Sequence, residues 1–207
     1  MASHVEIALT AEFDPLFSLP DRMRAVADQI RARLRSAGLE LPLETEVFDN
    51  ELELRGGENS HLLIRLDSYR LEIAGAPPDV QVHLLAALIL DEAQVYRLVS
   101  VDAGFAVTLP VPPGRRIDLV HRAFLPVESG EPMLDRRFSM TWEWGNPTTG
   151  FSFLASVVED REIFLSFKAR EGYMTVPELR GGAWMNEQAE RFDGAVSRFL
   201  AQLGWRM

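Results

Sequence analysis

Val5, Ile7, Leu9, Ala11 and Phe13 alternate with His4, Glu6, Ala8, Thr10 and Glu12. A period of two over that length predicts a first strand with one face in a core. The apolar spacing then becomes helical, with Met23, Val26, Ala27, Ile30 and Leu34 on one stripe. Ser18 with Asp21 forms a capping pair for this helix, Pro20 fits its first turn, and Gly38 suits its far end.

From 41 to 74 alternation returns in four pieces, LPLETEVF, ELELR, HLLIRL and YRLEI, split by DN, GGENS and DS. Short alternating runs divided by turn residues predict an antiparallel meander. Pro77 and Pro78 end it, and Asp79 stands at the cap of a second helix from about 80 to 94. That helix is apolar almost all round and so predicted to be buried.

The second half opens with a strand near 97–109, the loop PVPPGRR, and a strand in which Ile117, Leu119, His121, Ala123 and Leu125 share a face. After the loop PVESGEPMLD, Phe138, Met140, Trp142 and Trp144 alternate with Arg137, Ser139, Thr141 and Glu143. The turn GNPTTG leads to Phe151, Phe153, Ala155 and Val157, and a further turn at Glu159 and Asp160 to Ile163, Leu165 and Phe167. This pattern makes the tryptophans hairpin core and Glu143 a solvent-side residue. Beyond Gly181 and Gly182, Ala189, Phe192, Val196, Phe199 and Leu203 recur at helical spacing, predicting a C-terminal helix that covers the aromatic sheet face.

The fold class expected is therefore α+β: a mostly antiparallel sheet with an N-terminal helix, a central buried helix and a C-terminal helix packed on it. One domain over 1–207 is expected, with a meander-then-helix pattern in both 1–96 and 97–207 that suggests pseudo-duplicate halves. Strand, helix, meander and closing helix are also the ingredients of helix-grip architectures, in which a curved sheet wraps a long helix.

Composition agrees with a globular domain, at 47% apolar and 25% charged residues over 207 positions. The net charge of −10 lowers the prior for nucleic acid and for anionic membranes. Basic residues are 20 arginines and one lysine, Lys168, a bias consistent with a bacterial-like genomic base composition. With no cysteine there is no disulfide scaffold, cysteine zinc site or thiol nucleophile. The N-terminus lacks a signal-peptide pattern, and the apolar run VQVHLLAALIL is too short to span a bilayer, so a cytoplasmic location is expected.

Catalytic motifs are not evident. Gly56 with Gly57 reads as a hairpin turn, and Gly181 with Gly182 as a flexible connector rather than a phosphate loop. His4, His61, His83 and His121 are scattered singly, without metal-ligand spacing, and His121 reads as a buried, hydrogen-bonded residue. Serine lacks a G-x-S-x-G setting. Glu44 with Glu46 and Glu51 with Glu53 fall on solvent faces of strands, and Asp91 adjoins Glu92 on the second helix. No cofactor or metal is expected, and the reading leans away from an enzyme.

Two surfaces remain. Arg115, Arg116, Arg122, Arg136 and Arg137 form a candidate anion site through bidentate hydrogen bonds. On the first helix, Arg24, Arg31 and Arg35 fall in one sector beside the apolar stripe, with Arg22 and Arg33 along its other edge. Five arginines against Asp21 and Asp28 give that helix +3, leaving −13 for the rest. The expected function is a non-catalytic protein-interaction module, an adaptor, chaperone-like or toxin-neutralising partner, that binds a protein or itself through Arg24, Arg31 and Arg35. The alternatives are a carrier with an apolar cavity for a small apolar ligand between sheet and C-terminal helix, and an enzyme whose residues converge only in space.

Overall fold

The computed structural model describes residues 5–36, 43–48, 51–56, 61–76, 80–111, 138–145, 149–158 and 162–204. The first half contains β1 (Val5–Glu12), α1 (Met23–Ser36), the meander β2 (Leu43–Val47), β3 (Glu51–Gly56), β4 (Leu63–Asp67) and β5 (Arg70–Ala76), and α2 (Val82–Glu92). The second contains β6 (Arg97–Pro110), β7 (Phe138–Gly145), β8 (Gly150–Val158), β9 (Glu162–Thr175), α3 (Val176–Gly181) and α4 (Ala183–Gln202). All nine strands join one antiparallel sheet in the order β2-β3-β4-β5-β1-β6-β9-β8-β7. From either edge the order runs through a meander to that half's own first strand, and the halves meet where β1 pairs with β6.

Alternation decides which face is covered. Leu9 and Ala11 stand opposite Ala103 and Val101, while Phe105 stands opposite Phe167, and all are buried. The same row continues outward through Leu71, Ile73, Ile64, Leu66, Leu52 and Leu54 on one side and Leu165 and Phe153 on the other. α1 packs on β2 and β3, α2 on β1 and β5, and α4 on β6 and β9. In the second half the layer is aromatic: Phe192 stacks on Phe105 at 5.8 Å between centroids, and Phe199 meets Phe153 at 6.1 Å. The C-terminal helix thus covers the aromatic face as its periodicity predicts.

Several local expectations change. α1 is entered through a 3-10 turn, Pro20–Arg22, with Leu19 at the cap position and no side-chain cap, so the Ser18–Asp21 cap does not form. Leu19 already has helical dihedrals, and backbone bonds from Leu19 N to Leu16 O (3.0 Å) and Arg22 N to Leu19 O (2.9 Å) hold the turn. At the start of α2 the cap position is Gln81, again without a side-chain bond; Asp79 and Gly38 lie outside the described residues. α3 was not expected. Thr175 accepts from Glu178 N (3.3 Å) while the Glu178 carboxylate accepts from Thr175 N (2.8 Å), a capping box that starts a helix directly after β9.

The register of β1 against β5 shifts between Ile7 and Leu9. Near this shift, at the end of β5, Gly75 takes φ +64°, and a Cβ there would sit 2.2 Å from the His61 carbonyl oxygen, so the irregularity requires glycine. Among the described residues no helix is long and apolar enough to cross a membrane.

Candidate functional site

On α1, Met23, Val26, Ala27 and Ile30 are buried, which turns the arginine sector outward. Arg24 is exposed; Arg31 is half-buried, with Nη1 3.7 Å from Asp28 Oδ1. Arg35 lies in the last turn of the helix, its side chain outside the description. The flanking arginines are committed within the fold: Arg33 Nε reaches Glu92 at 2.9 Å, and Arg22 donates to the Gln94 amide oxygen at 2.8 Å. The proposed anion group Arg115, Arg116, Arg122, Arg136 and Arg137, together with His121, His4 and Gly57, lies outside the described residues.

The carboxylate pairs part company. Glu44 and Glu46 are exposed on the face away from the helices, as alternation predicts. Glu53 is on that same face yet only 4% exposed, a correction to its reading as a solvated residue. Arg65 Nε donates to its Oε2 at 3.0 Å, Arg55 Nε donates to its Oε1, and the two arginine side chains lie over it. Chiefly the Arg65 hydrogen bond, and then that of Arg55, hold the Glu53 carboxyl below its ordinary range, against a smaller opposing effect of burial. The cover is two surface arginines rather than the core, so this is a structural clamp near the surface. On α2, Asp91 pairs with Arg180 and Glu92 with Arg33, tying the helix to α3 and α1.

Gly182 corrects the flexible-connector reading. It holds φ +71°, closes α3 through Gly182 N to Leu179 O (3.1 Å), and is buried. A Cβ at this position would lie 2.6 Å from His83 Nε2, so the ring of His83 occupies the space a side chain would need. Burial pushes the His83 imidazole below its ordinary pKa. Among the described residues no three His, Asp or Glu side chains are placed to share a metal ion.

What the sequence pattern missed is a gathering of exposed aromatics. Seven large apolar residues are exposed among the described ones, and six of them, Phe17, Phe48, Tyr69, Tyr96, Val99 and Tyr173, lie at the end of the sheet where β1, β4 and β9 finish and β5 and β6 begin. All three tyrosines of the chain are among them. Backbone geometry places three of them, Phe17, Tyr69 and Tyr173. Asp67 Oδ1 accepts from Tyr69 N and Arg70 N, both at 2.8 Å, closing the β4–β5 turn beneath Tyr69. Phe13 N donates to Tyr69 O and Leu16 N to Ser68 O, bringing the loop with Phe17 against that turn. Tyr173, between Gly172 and Met174, which pair with Ser100 and Leu98, has φ +58°, a conformation bulky side chains rarely adopt. Turn and bulge positions carry no periodic signal, so the sequence offered only the scarcity of tyrosine as a pointer.

The uncovered sheet face differs between halves. In the first it carries Glu44, Glu46, Glu51, Glu53, Arg55, Arg65 and Glu72; in the second, hydroxyl and apolar residues such as Thr141, Ser152, Leu154, Ser156, Phe164 and Ser166 lie among Glu143, Lys168 and the Asp102–Arg170 pair. Comparison with protein-family models, with curated proteins and with solved structures finds no match.

Proposed function

We propose that this protein acts by binding another protein, as an adaptor, chaperone-like or toxin-neutralising partner, and not by catalysis. The observation that carries the reading is the gathering of six exposed apolar residues at one end of the sheet, in a chain whose other described apolar residues are mostly committed to the core. Large exposed apolar side chains collected along one end of a sheet are a feature of association surfaces. The ionisable groups with shifted pKa values support it from the other side: Glu53, Arg65 and Arg55 form a clamp, Arg170 pairs with Asp102, Glu178 caps α3, and His83 packs on Gly182.

The test is affinity capture with the full chain from cells of its own source, followed by reconstitution from purified components. A stoichiometric protein that re-forms the complex is the expected result. Turnover of a small-molecule substrate by the purified chain, with no protein retained, would replace this reading with the enzymatic one.

A further inference from the structure

We infer that the outer edge of β2 receives an extended protein segment with basic side chains at alternate positions, which lengthens the sheet by one strand; this rests on the binding reading above. β2 ends the strand order, and among the described residues no strand pairs with its outer side. Two backbone bonds fix which of its residues face outward. Phe48 N donates to Glu51 O (2.8 Å), so Phe48 points toward β3; Gly56 N donates to Leu62 O (2.8 Å), so Gly56 points toward β4 and away from its register partner Leu43. Bonded and non-bonded pairs alternate along an antiparallel ladder. Glu44 and Glu46 therefore bond to β3, and the N–H and C=O groups of Leu43, Thr45 and Val47 face outward. An incoming strand satisfies these backbone groups as an added strand of the sheet.

The side chains beside that open ladder select the sequence of the incoming strand. Glu44 and Glu46 are exposed on the face away from the helices and make no ion pair among the described residues. On that face β2, β3 and β4 carry Glu44, Glu46, Glu51, Glu53 and Asp67 against Arg55 and Arg65, and both arginines are bonded to Glu53. Glu46 stands opposite Glu53 in the register. Nearby bases do not restore the balance: on β5 Arg70 lies 3.6 Å from Glu72, and α1 with its arginines packs on the other face of the sheet. Residues 39–67 together hold eight acidic residues and two arginines, −6 of the chain's −10.

On the incoming strand, the positions opposite Glu44 and Glu46 form non-bonded pairs, whose Cα atoms approach to about 4.5 Å and whose side chains are closest. Arginine or lysine at those two positions meets each carboxylate directly. A second copy is a poor occupant. In every antiparallel register that pairs two or more of Leu43, Thr45 and Val47 with the same residues of another chain, a glutamate stands opposite a glutamate.

The experiment titrates synthetic peptides into the full-length protein: an extended peptide alternating arginine with threonine and valine, the same with every Arg→Glu, and two backbone N-methylated forms of the first. Binding of the arginine peptide at least about tenfold tighter than the glutamate peptide is expected. N-methylation at the threonines and valines, whose N–H groups face β2, should weaken it at least about tenfold, whereas N-methylation at the arginines, whose N–H groups face solvent, should leave it within about threefold. The variant Glu44→Arg/Glu46→Arg changes exposed side chains that make no ion pair, so it keeps its fold, and it should bind the glutamate peptide in preference to the arginine peptide. The inference is overturned if both N-methylated forms bind as tightly as the parent peptide, because charge alone then suffices. It is equally overturned if the double variant still prefers the arginine peptide, or if wild type binds no peptide, in which case the two glutamates serve only to keep the edges of neighbouring molecules apart. A partner captured from cells equally by wild type and double variant removes this edge and leaves the binding reading standing; no partner captured by either removes both.

Discussion

Gly182 shows how much one position can carry. Its positive φ, the end of α3, the start of α4 and the His83 ring all depend on the absent side chain. Gly182→Ala should cost about 1–2 kcal/mol for the dihedral alone, and more because the ring must move. Adding His83→Ala should return the steric part and leave the dihedral part, which denaturant melts of the single and double variants can separate. His83 and Glu53 also set the acid response. For each, the folded pKa lies below the unfolded one, so the unfolded chain binds more protons and stability falls with pH. The His83 contribution is present above about 6.5 and is lost as pH falls toward the folded value; for Glu53 the loss begins near about 4.3. His83→Gln should flatten the first region of a stability-versus-pH curve and Glu53→Gln the second. A His83→Gln curve as steep as wild type between neutral and mildly acidic pH would show that the half-buried ring does not titrate as described.

At the scale of elements, α1 and α3 are positioned by different means. α3 begins in a capping box, so Thr175→Ala should destabilise by about 1 kcal/mol. α1 has no side-chain cap and depends on its buried stripe, which among the described residues leaves Arg24 and Arg31 without a structural duty beyond the Asp28 pair. Changing Arg24, Arg31 and Arg35 to Glu is expected to leave the melting curve within about 0.5 kcal/mol of wild type. If this face steers an acidic partner, stopped-flow association slows in the variant, and added salt slows wild type in the same direction. Equal on-rates across a salt series would assign the sector to solvent.

For the whole molecule the strand order is the governing fact. Each half lays the last strand of its meander on its own first strand, and the two first strands pair across the middle. If the halves 1–96 and 97–207 are pseudo-duplicates, that order follows, and a circular permutant tests the idea. Four residues, Ala93–Tyr96, link α2 to β6. The equivalent link from α4 to β1 has nine residues when residue 207 is joined to residue 1, namely 203–207 and 1–4. A permutant joined there and opened between Gln94 and Val95 should fold to a single cooperative transition. Failure to fold, while a permutant opened within a meander turn succeeds, would count against equivalent halves.

Periodicity by itself determined β1, the four strands of the first meander, α2, the β7–β8 hairpin and the C-terminal helix, because burying one face of an element imposes a period of two or 3.6 on its residues. In the register, Trp142 and Trp144 pair with Phe153 and Phe151 while Glu143 is exposed, so the pairing of the hairpin was legible from its alternation. Charge along α1 was legible too, since helical spacing places Arg24 and Arg31 without knowledge of the rest. Other features were decided by residues far apart in sequence. Glu53 became buried because β4 brought Arg65 beside it, Gly182 became rigid because α2 brought His83 against it, and Phe17, Tyr69, Tyr96 and Tyr173 became one end because strand pairing aligned four separate turns. Alternation reports which side of a strand faces the core, but it holds no information about which strand lies next to it. Proximity across the sheet is set by topology, and only the tertiary structure supplies that.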